Sequence, residues 1–295
     1  MSRPFLLVDV FASGPWSGNP LGVVAAAEGI GAEEMQTITR WLNLSETVFL
    51  LEPTEPAADY RVRIFAHARE LPFAGHPTLG AAHAFLALGG QPKGETILQE
   101  CGVGLVPIRR SDDEVSGNGD ATGNGDTRLA FAAPPLMRSG PADEAEIAEI
   151  LEVLRLPREA VLAAQWVDNG PGWVAVLLGS AEAVLAVSPA GSHHRGIDIG
   201  IVGRHPPGHD ADWEIRAIFS DARGTLMEDP VTGSLNASVA QWLYASGRAS
   251  GPYVAAQGTR LGRTGRVFVT KEADGRIWVG GRCRTCFFGE TVRGS

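Results

Sequence analysis

The sequence predicts an α+β fold of two similar half-domains facing each other across a cleft. Two observations predict it. The first is a repeated unit. Tyr60–Phe65 has the alternation of a strand and leads through Arg69-Glu-Leu-Pro-Phe-Ala-Gly-His-Pro77 into a helix-like run, Pro77–Leu88. Asp212–Phe219 is a second such strand and leads through Glu228-Asp-Pro-Val-Thr-Gly-Ser234 into a helix-like run, Thr232–Leu243. Phe65-x-x-Ala68-Arg69 matches Phe219-x-x-Ala222-Arg223 at an offset of 154, and His76-Pro77 matches Asp229-Pro230 at 153. So long a period excludes a solenoid and indicates duplication. The second observation is a repeated hairpin. Phe5–Phe11, a turn at Ser13–Pro20 and Leu21–Ala25 are mirrored by Gln165–Asn169, Gly170-Pro-Gly172 and Trp173–Leu178. The halves are expected at 1–133 and 134–295, with the crossover beginning at Pro134-Pro135 and the final strand free to return to the first half.

The other elements follow in order. Ala32–Leu42 places Met35, Ile38 and Leu42 on one helical face, with Glu33 and Glu34 in the first turn where the helix dipole favours them. Asn43-Leu-Ser-Glu46 then opens onto the β-rich run Thr47–Leu51. Glu95–Glu100, Val103–Arg109 and Thr127–Ala133 read as strands of a continuing antiparallel sheet. Between the last two, residues 111–126 are acidic and poor in apolar side chains, as a flexible hairpin loop is. The doubled Gly-Asn-Gly-Asp in that stretch lacks the tandem nonapeptides of a calcium-binding solenoid. Ala142–Leu154 and Ala181–Val187 read as helices, and Ser192–His209 as a loop-rich stretch with four histidines. Pro206, Pro207 and Gly208 forbid the helix that would make His205-x-x-x-His209 a zinc pair, so solvated loop histidines are expected. Tyr253–Ala256, Arg266–Thr270, Ile277–Gly281 and Arg282–Phe288 close the chain as strands, and Cys283 and Cys286 then point to opposite faces.

Composition narrows the function. With 44% hydrophobic and 20% charged residues among 295, the chain has the make-up of a globular enzyme with a real core. A net charge of −9 without a long basic run argues against nucleic-acid and anionic-membrane partners. Three cysteines make no disulfide framework and fit a reducing cytosol. The apolar run near the N-terminus is broken by Asp9, so neither a signal peptide nor a membrane span is expected. Neither a dinucleotide fingerprint nor a phosphate loop is present, and Ser234 lacks the elbow context of a hydrolase nucleophile.

The candidate chemistry lies at Glu46, His76, Asp229 and Ser234. Each has a structural alternative: a solvated charge at a strand end, a capping or core histidine, an N-cap before an N1 proline, and a hydroxyl bonded within the first turn. Together they set two helix N-termini opposite each other, one with an imidazole and one with a carboxylate and a hydroxyl. Gly75 and Gly233 let a ligand approach the backbone N–H groups there. Such ends attract a carboxylate, and a partly desolvated Glu46 suits proton transfer beside an unsaturated or carbonyl-conjugated carbon.

The motifs Glu70-Leu-Pro-Phe-Ala-Gly-His-Pro-Thr-Leu-Gly-Ala-Ala82, Asn43–Glu46 and Glu228–Ser234 resemble those of the PhzF family, the phenazine-biosynthesis-like isomerases. The likeness runs from Asp9-Val-Phe11 to the last strands. It implies the fold shared with diaminopimelate epimerase: two pseudo-symmetric half-domains, each a curved, mostly antiparallel sheet around a central helix. It also implies a homodimer and an isomerase that uses neither metal nor organic cofactor. Carried over by position, Glu46 moves the proton, as in a trans-2,3-dihydro-3-hydroxyanthranilate isomerase, and His76 and Asp229 orient the substrate and assist. Ser234, with the Gly75 and Gly233 backbone, holds polar groups of the substrate; Asn19, in the Gly-Asn-Pro that borders the family's site, and Ser45 join them. Cys101, Cys283 and Cys286 lie outside the motifs, which argues against a two-thiol racemase. Two other readings stand beside the isomerase: a binding protein of the same fold, and a racemase using carboxylate and imidazole as its bases.

Overall fold

The structure is a computed structural model describing residues 2–110, 127–221 and 223–292. The acidic stretch 111–126 read above as a loop, and Ala222, lie outside the described residues. Contacts divide the chain into two units: residues up to Ala132 together with those from Gly280 onward, and Ala133–Val279. Unit 1 contains β1 (Arg3–Val10), β2 (Asn19–Val24), α1 (Ala32–Leu42), β3 (Glu46–Leu51), β4 (Tyr60–Ala66), β5 (Glu70–Leu71), α2 (Gly75–Ala87), β6 (Ile97–Cys101), β7 (Gly104–Arg110) and β8 (Thr127–Ala132). Unit 2 contains β9 (Arg138–Pro141), α3 (Glu144–Leu154), β10 (Ala163–Asp168), β11 (Trp173–Leu177), α4 (Ala181–Ala186), β12 (Asp198–Arg204), β13 (Trp213–Ser220), β14 (Leu226–Asp229), α5 (Gly233–Ala245), β15 (Tyr253–Gln257) and β16 (Gly265–Lys271). The last strand, β17 (Ile277–Thr291), starts in unit 2 and ends in unit 1.

In unit 1, β1 pairs antiparallel with β2, β2 runs parallel to β3, and β3 is antiparallel to β4. β4 runs parallel to β6, and β6, β7 and β8 continue antiparallel. β17 pairs with both β8 and β1, so the sheet closes on itself. The central helix α2 packs against β1, β2, β3, β4, β6 and β8, and every residue from Gly75 to Ala84 is buried. A helix surrounded by a sheet must be apolar on all sides, which explains why this one shows no polar stripe. Gly80 is required there: a Cβ would lie 2.3 Å from Leu21 Cδ2. The outer helix α1 lays Met35 and Ile38 on Phe49, Phe65 and Val24.

Unit 2 repeats this order. β10 and β11 form the hairpin, β11 runs parallel to β12, and β12 is antiparallel to β13. β13 holds the short β14 on its antiparallel side, runs parallel to β15, and β15 pairs with β16. The buried helix is α5, and α3 and α4 cover a core that includes Ile150, Leu154, Val176, Ile199 and Ile201.

The structure corrects several sequence expectations. β12 lies inside the stretch read as loop-rich. Gly200 and Gly203 weaken its strand pattern, but both are forced by packing: a Cβ at Gly200 would lie 2.5 Å from Leu235 of α5, and one at Gly203 would lie 2.3 Å from the Ser180 carbonyl oxygen. The two closing strands are one strand, bulged at Cys286, since Leu7 pairs with Phe287 and Val8 with Thr285. His193 and His205 are not solvated; their side chains are 4% and 8% exposed. Pro230 does not open a helix. The N-cap of α5 is Thr232, and Asp229 is the last residue of β14. Pro77 is instead the third residue of α2, where its missing N–H costs nothing. The two central helices therefore align Gly75 with Gly233 and His76 with Ser234, an offset of 158, and not His76 with Asp229. Among the described residues, no helix is long and apolar enough to cross a membrane.

Candidate active site

Unit 1 gathers Asn19, Glu46 and His76. The turn before Asn19 is built on Asp9, whose carboxylate accepts the N–H of Ser17 and of Gly18 at 2.9 Å each. Gly18 must be glycine, because a Cβ would meet the Val10 carbonyl oxygen at 2.0 Å. This turn delivers Asn19, fully buried, as the first residue of β2. Its Nδ2 lies 3.5 Å from His76 Nδ1. An amide nitrogen only donates, so Nδ1 accepts and the ring proton sits on Nε2. His76 Nε2 stands 3.4 Å from Glu46 Oε2. Burial pushes the His76 pKa down to about 3. The contact is therefore one with a neutral imidazole, not an ion pair, and Nε2 makes no hydrogen bond across it. Glu46 opens β3, directly after Ser45, and its side chain keeps 18% exposure. No side chain caps α2, whose N-cap is Ala74. The N–H groups of Gly75 and His76 have no acceptor within the helix.

Unit 2 gathers Asp229, Gly233 and Ser234. β14 is anchored by a buried, two-pronged ion pair, Arg216 Nε to Glu228 Oε1 at 3.0 Å and Nη2 to Oε2 at 2.7 Å. Its neighbour Asp229 receives the Thr232 hydroxyl on Oδ2 at 2.5 Å. Thr232 is held in turn by the fully buried Gln257, whose Nε2 donates to Thr232 Oγ1 at 2.9 Å and whose Oε1 accepts the Thr232 N–H at 3.0 Å. Since Thr232 Oγ1 accepts from an amide, its own proton is the one donated to Asp229. Ser234 Oγ accepts from Trp173 Nε1 at 3.1 Å, and the Ser234 carbonyl accepts from Asn169 Nδ2 at 2.9 Å. Here too no side chain caps the central helix.

Thr232, Gln257 and Trp173 were missed by reading motifs alone. Their signal is the duplication itself. Gln99 and Gln257 are 158 apart, as are Thr78 and Asn236, and each Gln bonds the first turn of its own central helix: Gln99 Nε2 to Thr78 Oγ1 at 3.1 Å, Asn236 Nδ2 to Gln257 Oε1 at 2.7 Å. Asn19 and Trp173 each open the second strand of a hairpin and reach the second residue of the helix.

Residues 8–288 match the profile of the family described as phenazine biosynthesis-like protein, PhzC-PhzF. The chain belongs to that family. Relatives within it bear different names. Antisense-enhancing sequence 1 of Schizosaccharomyces pombe is 32% identical, over 97% of this chain and 98% of its own. Trans-2,3-dihydro-3-hydroxyanthranilate isomerase of Pseudomonas aeruginosa is also 32% identical, over 92% of this chain and 91% of its own. Among solved structures, a predicted epimerase from Pseudomonas aeruginosa superposes with a TM-score of 0.78 at 26% identity, over 99% of this chain and all of that one. This PhzF-family chain is accordingly an isomerase, with the α+β, two-unit fold expected of it.

Proposed function

We propose that the protein moves a proton on a small unsaturated carboxylate or amino acid, with Glu46 as the general acid/base. The observation that carries this reading is the Glu46 carboxylate, 3.4 Å from the Nε2 of a buried, neutral His76 at an uncapped helix N-terminus. A carboxylate in contact with a buried imidazole and largely withdrawn from solvent can take a proton from carbon and return it elsewhere on the same substrate. The free N–H groups of α2 suit the substrate's carboxylate, or the negative charge that develops as the proton leaves. His76, kept neutral by burial, does not compete for the proton. The reaction of the relative named trans-2,3-dihydro-3-hydroxyanthranilate isomerase is of this type.

The test is deuterium uptake in D₂O, followed by NMR, on dihydro-hydroxyanthranilate and a panel of unsaturated amino acids. We expect uptake by the wild type and a loss of about 10²–10⁴-fold in Glu46→Gln, the range of a general acid/base. Undiminished exchange in Glu46→Gln would sink the assignment. Ligand binding without exchange in either protein would instead favour a binding role. Likeness to the predicted epimerase supports a second reading, a two-base epimerase. Inversion at the exchanging carbon would select it; retention or migration of the proton would select the isomerase.

A further inference from the structure

Glu149, on α3, and His193 and His194, in the loop before β12, converge in unit 2, and none of the chemistry above uses them. We propose that these three side chains form a binding site for a divalent transition metal of the zinc type. Two imidazoles and a carboxylate are the ligand set such ions prefer. Their ligating atoms all lie within 4.8 Å of one another. His193 Nε2 and Glu149 Oε1 stand 3.4 Å apart. Ligand atoms held at about 2.1 Å around a tetrahedral ion are separated by roughly 3.4 Å.

The setting of His193 strengthens the case. Its Nδ1 lies 3.1 Å from the carbonyl oxygen of Arg195. The Arg195 N–H lies 3.4 Å from the same Nδ1, so Arg195 holds the ring through Nδ1 in either tautomer. Nε2 is buried and makes no hydrogen bond. A buried ring nitrogen without a hydrogen bond, 3.4 Å from a carboxylate oxygen, is an arrangement that a cation between them resolves. A histidine whose far nitrogen is tied to a backbone carbonyl is also how metal-ligating imidazoles are oriented. The loop is fixed before any ion arrives: the His193 N–H donates to the Gly224 carbonyl at 2.8 Å, and Ser192 bridges to Thr225.

One charged neighbour competes. Arg195 Nη2 is 2.8 Å from Glu149 Oε1, and its Nε is 3.1 Å from His194 Nε2. The guanidinium thus sits where a cation is favoured, at the outer edge of the cluster. Its side chain is 65% exposed, so it can swing into solvent when a metal enters.

The experiment is titration of untagged protein with Zn²⁺ by calorimetry and with Co²⁺ by visible absorption. One equivalent should bind, with cobalt bands showing nitrogen ligation. His193→Ala and Glu149→Gln should each weaken binding by at least about tenfold, and Arg195→Ala should tighten it. Circular dichroism and metal-free melting confirm that each variant is folded. If His193→Ala does not fold, His194→Ala at its exposed position carries the same expectation. Absence of binding at millimolar metal, or equal binding by wild type and the ligand variants, overturns the proposal.

Discussion

The two central helices invite comparison. α2 and α5 are both 13 residues long, begin with glycine, lack a side-chain cap and are buried within their own units. Each receives a side-chain donor from the first residue of a hairpin's second strand, onto its own second residue. What differs is the chemistry placed in this common frame. Position two is His76 in unit 1 and Ser234 in unit 2, and the donors are an amide and an indole. Unit 1 adds a carboxylate from β3, and unit 2 one from β14. The scaffold therefore fixes positions, and the two units divide in the side chains they place there.

Breaking the two helix ends in parallel tests that division. His76→Ala should lower the deuterium-exchange rate by about 10²–10³-fold, whereas Ser234→Ala should lower it by about tenfold and act mainly on KM. Equal losses would mean that both ends do the same work. The buried glutamines come next. Gln257 bonds Thr232 twice, Asn236 and the Asp229 carbonyl, whereas Gln99 bonds Thr78, Tyr60 and Cys101. Gln257→Leu should cost about 3 kcal/mol in denaturant unfolding, and Gln99→Leu about 1–2 kcal/mol. Smaller again are the hairpin donors. Asn19→Ala frees the His76 ring to take the other tautomer and should cost about tenfold in rate, while Trp173→Phe should cost about twofold to threefold.

The last comparison is in pH. α2 carries His76 and His83, which burial pushes down to about 3 and about 4; α5 has no histidine. Unfolded histidine titrates near 6.5. Between those values the unfolded chain binds more protons, so these residues cost stability as pH falls below 6.5, by at most about 1.4 kcal/mol per pH unit for each. Glu214 of unit 2 has the opposite sign. Burial raises it to about 7, against the pull of Arg266 and Arg216, and its Oε2 lies 3.0 Å from His205 Nε2. The folded state then holds the extra proton between about 4.5 and 7, and stability falls as pH rises through that window. Melting temperature against pH should flatten on the acid side in His83→Asn and on the neutral side in Glu214→Gln. Unchanged profiles would show that neither group changes its protonation on unfolding.

Much of this was readable in the residues, and the failures have physical causes. The strand repeat was visible because β4 and β13 keep the same alternation and the same Phe. The helix repeat was set in the wrong register because proline was taken as the landmark. Pro77 sits inside the first turn of α2, where it is tolerated, and Pro230 lies outside α5, so the two have different roles. β12 was hidden because glycines lower strand propensity, and what makes them necessary is α5 and the Ser180 carbonyl, neither of which is near in sequence. Gln99 and Gln257 look like ordinary polar strand residues until the helix end each one serves is known. The candidate residues Glu46 and His76 were found through motif; their contact and the tautomer that orders it required the fold.

The path of β17 bears on how the chain is made. Arg3–Val10 pairs with Cys283–Thr291, so this strand waits until all of unit 2 has been synthesised before its sheet can close. Unit 2 is a continuous segment and is synthesised whole while unit 1 still lacks a stave. Vectorial synthesis usually favours the N-terminal part, and here the order is reversed. The nascent N-terminal segment exposes an unpaired edge at β1 for most of translation, the condition under which chaperone dependence and premature-termination products that aggregate are expected.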